Sequence, residues 1–418
     1  MTARALVVTV LRLEDLDRNV HGAFQRLRVI LESVAAEVDT IDVLSLIERK
    51  LSGGSLDASN QLERAWNVKA SLVNGRTRDP VAWRPWILEQ IRWVCSYRAS
   101  RAYAGFETLE NRQILAGLMQ SPPDLLVTHK LPAHEFVTRH VRGGIPILFD
   151  LDDIEHVAFE RNARTLPTPR DRWVARAMVP SVRRAVGRAM GSASRVLVCS
   201  SHDRSILQES FDVPPRRIVV APNSCEMQPM HRLTDEPVLL FVGTFSYPPN
   251  AQAVEYFIRE CWPMVRSKVS GARLRVVGAH CEKVSSHSNP PPGVEFTGFV
   301  PDIAAEYRQA RCVVCPILSG GGTRVKLVEA AAFGMPIVST SLGAEGLGFA
   351  HGVQVLFGET ATALAEASIT ILQDRALAEK LAKAEYEHAE NHFDRKVVIG
   401  TIRNCVTHLL DEPVPLGQ

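Results

Sequence analysis

The sequence predicts an α/β protein made of two doubly wound parallel-sheet domains, on three observations. Short apolar runs of strand type alternate with amphipathic helical stretches along most of the chain, the signature of β-α-β units and parallel strands. The 418 residues exceed one ordinary core and suit two domains, each of roughly 200 residues. A polar, proline-containing stretch at residues 227–236 has no clear period and separates two sets of strands, as a linker would.

Residues 5–11 read as the first strand. Gly22 opens an amphipathic helix with Phe24, Leu27, Ile30, Leu31 and Val34 on one face, and residues 38–46 return as a strand. The pattern turns irregular over residues 52–105, where Trp66, Trp83, Trp86 and Trp93 fall, and predicts an insertion or lid outside the sheet. These tryptophans suit core filling or stacking on a sugar or lipid. Short buried strands resume at 125–128, 146–150, 196–200 and 218–221. The second half restarts with VLLFV, ending at Gly243, followed by a helix over 251–265. Strands follow at 274–277, 294–296, 313–318, 336–339 and 354–357, and helices at 376–392 and 395–410 close the chain. The expected domains are 1–228 and 237–394, with 395–418 as a terminal helical segment.

Composition excludes several classes. A net charge of +2 gives no bulk case for nucleic-acid binding. No apolar run approaches the roughly 20 residues of a membrane span, and the N-terminal apolar stretch runs into acids without a cleavage site, so it reads as a strand. The first β-α-β unit lacks GxGxxG, which speaks against a dinucleotide oxidoreductase. Eight cysteines are scattered, which fits a reducing cytoplasm; Cys312 and Cys315 form a CxxC inside an apolar run with no second pair, as buried strand residues do. Residues 170–195 hold seven arginines and one acid, Asp171, with Val174, Ala177, Met178 and Val182 on another helical face. A solvated face is the ordinary use of such a pattern; peripheral contact with the inner membrane face or a polyanionic acceptor is the alternative.

The most informative segment runs from Cys312 to Glu345, CVVCPILSGGGTRVKLVEAAAFGMPIVSTSLGAE. It reads strand, glycine loop (Gly320, Gly321, Gly322), helix over 323–333, stop at Gly334 and Pro336, and strand. A glycine loop feeding a helix N-terminus offers bare N–H groups and a positive dipole end to a phosphate. Arg324 and Lys326 lie in the first turn, where the dipole disfavours cations, and an anion held there accounts for them. Glu329, one turn on, suits a ribose diol, so the set points to a nucleotide diphosphate.

This segment resembles the donor-binding motif of GT-B glycosyltransferases, specifically the group that includes family 4, the group 1 transferases. The resemblance extends through residues 238–277 and 294–315 and reaches into 149–155 and 196–207. It implies two Rossmann-like domains facing each other across a cleft, with the last helix crossing back to the first domain. It implies a hexosyltransferase-like enzyme moving a sugar from a nucleotide-diphosphate sugar to a small metabolite, natural-product intermediate, glycan or lipid-linked saccharide. Retention of configuration, no metal and no cofactor beyond the nucleotide-sugar co-substrate follow from the same resemblance. A GT-B nucleotide-sugar epimerase is the alternative. Carried over to this chain, the donor residues are Gly243, Thr244, Val300, Ser319, Gly320, Gly321, Gly322, Thr323, Arg324, Lys326 and Glu329. Val300 stands for backbone contacts to the base, and Asp302 is expected to cap the helix after it. Two departures stand out. The Arg and Lys that many relatives carry after the first strand of this domain are missing between Thr244 and Ala253, and Gly321 replaces the first glutamate of the family's E-x7-E pair. Arg324 and Lys326 are therefore expected to carry the charge neutralisation and transition-state stabilisation.

In the first half, ILFDLDDIEH sets Asp150, Asp152 and Asp153 at the end of a buried strand, where open α/β sheets bind ligands. Asp152 and Asp153 are the first candidates for a general base if configuration inverts, with His129 after another strand as a third, and a capping turn as the plain alternative. His21, Gly22, His129 and Asp152 are the candidate acceptor residues.

Overall fold

A computed structural model of the chain describes residues 3–11, 22–46, 69–74, 106–165 and 168–412. They fall into two compact units, Met1–Ala221 with Val398–Gln418, and Pro222–Val397.

The first unit contains β1 (Arg4–Thr9), α1 (Gly22–Ala35), β2 (Thr40–Ser45), β3 (Lys69–Asn74), α2 (Leu109–Leu118), β4 (Leu125–His129), α3 (Leu131–His140), β5 (Ile147–Asp152), α4 (Glu155–Thr165), α5 (Pro169–Ser192), β6 (Arg195–Val198), α6 (Ser201–Phe211) and β7 (Ile218–Val220). Its strands form one parallel sheet in the order β3-β2-β1-β4-β5-β6-β7. The central strands are buried on both sides, which is why they read as continuous apolar runs. On α1, Phe24, Leu27, Ile30, Leu31 and Val34 are all buried, as their spacing predicts.

Two expectations for this unit need correction. Lys69–Asn74, expected within an irregular insertion, is the edge strand and pairs in parallel with β2. KASLVN is a faint strand signal because an edge strand has a neighbour on one side only and needs less apolar surface. Trp66, Trp83, Trp86 and Trp93 lie outside the described residues. The second correction concerns α5, a 24-residue helix capped by Thr168. Its buried face is Val182, Ala185, Val186, Ala189 and Met190, while Val174, Ala177 and Met178 are only half-buried. Only the C-terminal half of the helix reaches the core, so the expected apolar face was set too early. Trp173, at 67 % exposure, projects from the other half.

The second unit contains β8 (Val238–Val242), α7 (Pro248–Tyr256), α8 (Trp262–Lys268), β9 (Arg273–Val277), β10 (Val294–Gly298), α9 (Ile303–Gln309), β11 (Cys312–Cys315), α10 (Val325–Ala332), β12 (Ile337–Ser339), β13 (Val355–Phe357), α11 (Ala361–Gln373) and α12 (Arg375–His392). Its parallel sheet runs β10-β9-β8-β11-β12-β13. The single helix expected over 251–265 is two helices joined by a wider π turn, Phe257–Cys261. Pro263 supplies the cause: it has no N–H and crowds the preceding turn, and widening that turn relieves the clash. Cys312 and Cys315 are fully buried in β11, and an odd spacing on a strand points them to opposite faces. A shared metal is thereby ruled out for this pair.

The last helix, α13 (Arg395–Asp411), leaves the second unit and completes the first. Val398, Ile402, Cys405, Val406 and Leu409 join the core that α1 forms with β1, β2 and β4. Arg403 Nε donates to Glu37 Oε1 at 2.7 Å and Thr407 Oγ1 to Glu37 Oε2 at 3.0 Å. Among the described residues no helix is long and apolar enough to cross a membrane.

Candidate active site

In each sheet the strand order reverses once, between β1 and β4 in the first unit and between β8 and β11 in the second. Such a reversal leaves a crevice at the carboxyl ends of the strands, where open α/β sheets take their ligands. Gly243, Thr244 and the loop of Ser319 to Thr323 follow β8 and β11, and His129 ends β4, while Asp152 and Asp153 lie at the end of neighbouring β5 and Val300 follows edge strand β10.

In the second unit, β8 ends at Val242 and passes into Gly243 and Thr244, while β11 ends at Cys315 and passes into the loop of Ser319 to Thr323. A side chain at position 243 would press on Lys326, its Cβ lying 3.1 Å from Nζ, so glycine keeps this corner open. Gly320 has φ +101°, and a Cβ there would stand 2.7 Å from Tyr247 Oη. Both facts make the loop a bare-backbone structure. α10 begins at Val325, two residues later than the expected Thr323, because Arg324 is still extended (φ −87°, ψ 99°).

Arg324 is buried and turned back on the loop. Its Nη1 donates to Gly321 O and its Nη2 to Ser319 O at 3.4 Å, while Nε has no hydrogen-bond partner among the described residues. Lys326 is half-buried, with Nζ donating to Asn250 Oδ1 at 2.7 Å and lying 4.5 Å over the Phe241 ring. Burial pushes the Lys326 ammonium down to about 8, with the nearby Arg324 charge acting in the same direction. Both cations thus stand at the loop with their charge only partly neutralised. Thr323 Oγ1 accepts from Asn223 Nδ2 at 2.7 Å, and Ser319 Oγ donates to Gln252 Oε1 at 3.4 Å. Glu329 receives the hydroxyl of fully buried Tyr307 at 3.4 Å, and the same hydroxyl lies 3.3 Å from Lys326 O. Val300 is half-buried against the unit's core, beside Phe299 at 62 % exposure. Asp302 caps α9, its side chain accepting from Ala304 N at 3.0 Å.

Sequence reasoning missed Asn250, Tyr307, Gln252 and Asn223. Asn250 lies 76 residues from Lys326 along the chain and Asn223 lies 100 from Thr323. No local pattern marks such pairs.

In the first unit, the ends of β4 and β5 carry a packed ionic network. Arg26 shares its Nε–H between Asp150 Oδ1 and Oδ2 at 2.9 and 3.0 Å, donates from Nη2 to Oδ1 at 2.5 Å, and donates from Nη1 to Ala221 O at 2.8 Å. Lys130 Nζ donates to Asp152 Oδ2 at 2.8 Å, with Arg26 Nε 3.7 Å from Asp152 Oδ1. Lys130 and Asp152 both take left-handed backbone, φ 71° and 61°, which costs energy in non-glycine residues. Burial alone would raise Asp152, but Lys130 and Arg26 overcome it and hold the carboxyl well below the usual range. So acidic a carboxylate accepts a proton poorly, which counts against Asp152 as the general base. His129 is fully buried, its Nδ1 3.0 Å from Thr9 Oγ1. Burial, together with the charges of Lys130 and Arg26, pushes its imidazole down to about 3. As placed, His129 packs within the sheet and is closed off from solvent. Asp153 is half-buried and remains as the accessible carboxylate of the three. Gly22 is half-buried at the start of α1, and His21 lies outside the described residues.

Comparison with known proteins adds to this geometry. The family profile described as "Glycosyl transferases group 1" matches residues 236–374, and that described as "Glycosyl transferase 4-like domain" matches residues 57–224. A curated relative, an "Uncharacterized 44.6 kDa protein in cps region" of Klebsiella pneumoniae, is 24% identical over 172 residues. That match covers 39% of this chain and 44% of the relative, less than half of its length. Sucrose-phosphate synthase from Thermosynechococcus elongatus superposes with a TM-score of 0.68 at 15% identity, covering 97% of this chain and 99% of that one. HepE of Anabaena, in complex with UDP and glucose, gives 0.61 at 14% identity over 96% and 99%. TarM of S. aureus gives 0.67 at 9% identity over 99% of each chain. At such identities the likeness speaks to the fold, which is GT-B.

Proposed function

The chain belongs to the glycosyl transferases of group 1 and carries the GT-B fold, and from that premise we propose that it moves a sugar from a nucleotide-diphosphate sugar to an acceptor. The observation that carries the proposal is the pair Arg324 and Lys326 at a bare glycine loop, at the sheet's reversal point, with Glu329 one turn further. As the bond between the anomeric carbon and the diphosphate oxygen breaks, negative charge develops on the leaving group. Backbone N–H groups of Gly320 to Thr323, with the two cations, are suited to stabilise that charge. Glu329, oriented by Tyr307, takes the ribose hydroxyls. The acceptor oxygen bonds to the anomeric carbon and its proton passes to a leaving phosphate oxygen. Configuration is then retained and no side-chain base is required, in keeping with the poor basicity of Asp152 and His129. The reaction so described uses no metal. The acceptor is a small metabolite or a glycan, free or lipid-linked, met in the cytoplasm.

HepE structures hold UDP and UDP-glucose, so uridine nucleotides are the first probes. A thermal-shift panel of UDP, GDP, dTDP and ADP sugars should give one base-selective rise in melting temperature, because a ligand bound only by the folded state stabilises it. Turnover with an acceptor should survive EDTA. Nucleotide sugar converted to an isomer without an acceptor would instead establish an epimerase, and binding of NADH alone would end the transferase reading.

A further inference from the structure

We propose that Asn250 is a positioning residue for the donor diphosphate: its side-chain oxygen fixes the Lys326 ammonium at the crossing of β8 and β11 without cancelling its charge. The proposal rests on the transferase reading and deepens it. Asn250 is buried, its backbone N–H donates to Tyr247 O at 3.0 Å, and its Nδ2 donates to Thr244 O at 3.0 Å. That second bond decides which end of the amide faces Lys326, leaving Oδ1 to accept from Nζ at 2.7 Å. Phe241 of β8 lies under the ammonium at 4.5 Å, a favourable cation–π contact. Cys315 of β11, Arg324 at the N-cap of α10 and Glu329 within that helix are the titratable groups that act on it.

The choice of an amide has a chemical meaning. An aspartate here would form an ion pair, raise the ammonium's pKa and compete with an incoming diphosphate. A leucine would leave the ammonium desolvated without an acceptor and lower its pKa. Asparagine holds the nitrogen in place while its charge stays available. Burial brings the Lys326 ammonium down to about 8, so diphosphate binding near pH 8 draws a proton onto the nitrogen. The segment Phe241 to Asn250, FVGTFSYPPN, thus serves the phosphates without a cation of its own.

The test uses the full chain as wild type, Asn250→Asp and Asn250→Leu. UDP binding is measured by calorimetry, well below and slightly above pH 8, in buffers of different ionisation enthalpy that count protons taken up. In parallel, the pH dependence of Lys326 labelling by an amine reagent is followed by mass spectrometry without nucleotide. Wild type should take up protons mainly at the higher pH. Asn250→Asp should bind UDP about tenfold more weakly at both pH values, take up fewer protons, and label with a midpoint moved up. Asn250→Leu should lose affinity chiefly at the higher pH, take up more protons, and label with a midpoint moved down. Unchanged midpoints in both variants, with UDP bound normally, overturn the role of Asn250 alone. If wild type binds none of UDP, GDP, dTDP or ADP, the donor reading falls and takes this proposal with it.

Discussion

Arg324 and Lys326 carry the same charge but are held differently, and this separates the outcomes of removing them. Arg324 braces the loop through Gly321 O and Ser319 O, whereas Lys326 is tethered to one amide oxygen. Arg324→Ala should therefore lower the melting temperature as well as activity, because two loop carbonyls lose their donor. Lys326→Ala should leave the melting temperature nearly unchanged. Each should cost about 10- to 100-fold in kcat/KM, the size of one lost hydrogen bond to a charged group. Steady-state kinetics with a saturating acceptor decide this, and unaltered constants in both variants would remove the pair from the donor site. A second residue-scale prediction concerns Tyr307. With Tyr307→Phe, Glu329 loses its hydroxyl partner, and KM for the donor should rise about three- to tenfold with kcat nearly constant. The increase should vanish with a 2′,3′-dideoxy donor; an equal increase with both donors would assign Tyr307 to packing.

At the scale of elements, α12 carries an unusual load. Glu385 is fully buried and neither carboxyl oxygen makes a well-formed hydrogen bond among the described residues, so burial raises the group well above its ordinary 4.5 against a weaker opposing pull from the Ile337 backbone N–H. A carboxyl raised in the folded state contributes stability fully below pH 4.5 and loses it progressively as pH rises toward the folded value. Glu385→Leu should therefore gain on wild type in melting temperature as pH rises above 4.5, with the gain shrinking on acidification. A gain that is the same at all pH values would mean the carboxyl is already solvated. The elements themselves were largely legible. Central strands such as Val238–Val242 and Leu125–His129 announce themselves because burial on both faces demands unbroken apolar runs. β3 did not, since its edge position asks little of its side chains. The donor loop was legible because glycines, cations and an acid lie within eleven residues of one another, from Ser319 to Glu329. The ionic network of Arg26, Asp150, Asp152 and Lys130 was not, because it joins α1 to two strands and only the folded sheet brings them together. Proximity there ties Asp152, one of the expected bases, into ion pairs with Lys130 and Arg26.

At the scale of the molecule, α5 exposes Trp173 among arginines, with Arg170 and Arg176 exposed beside it and Asp171 the sole acid of the helix. Positive charge with an aromatic anchor matches an anionic lipid surface. If this face meets such a surface, the protein should co-sediment with phosphatidylglycerol vesicles at low salt and not with phosphatidylcholine vesicles. Trp173→Ala combined with Arg176→Glu should weaken that by about tenfold or more. Equal sedimentation of the variant would assign these arginines to solvation.

The membership of the first unit, Met1–Ala221 with Val398–Gln418, sets an order of events during synthesis. The second unit is one uninterrupted stretch and can fold as soon as residue 397 has left the ribosome. The first unit has by then been waiting longer, with the α1 face that Val398, Ile402, Val406 and Leu409 will cover still bare. The earlier-made half is thus the later to finish, and that apolar strip stays available to chaperones or to aggregation throughout elongation.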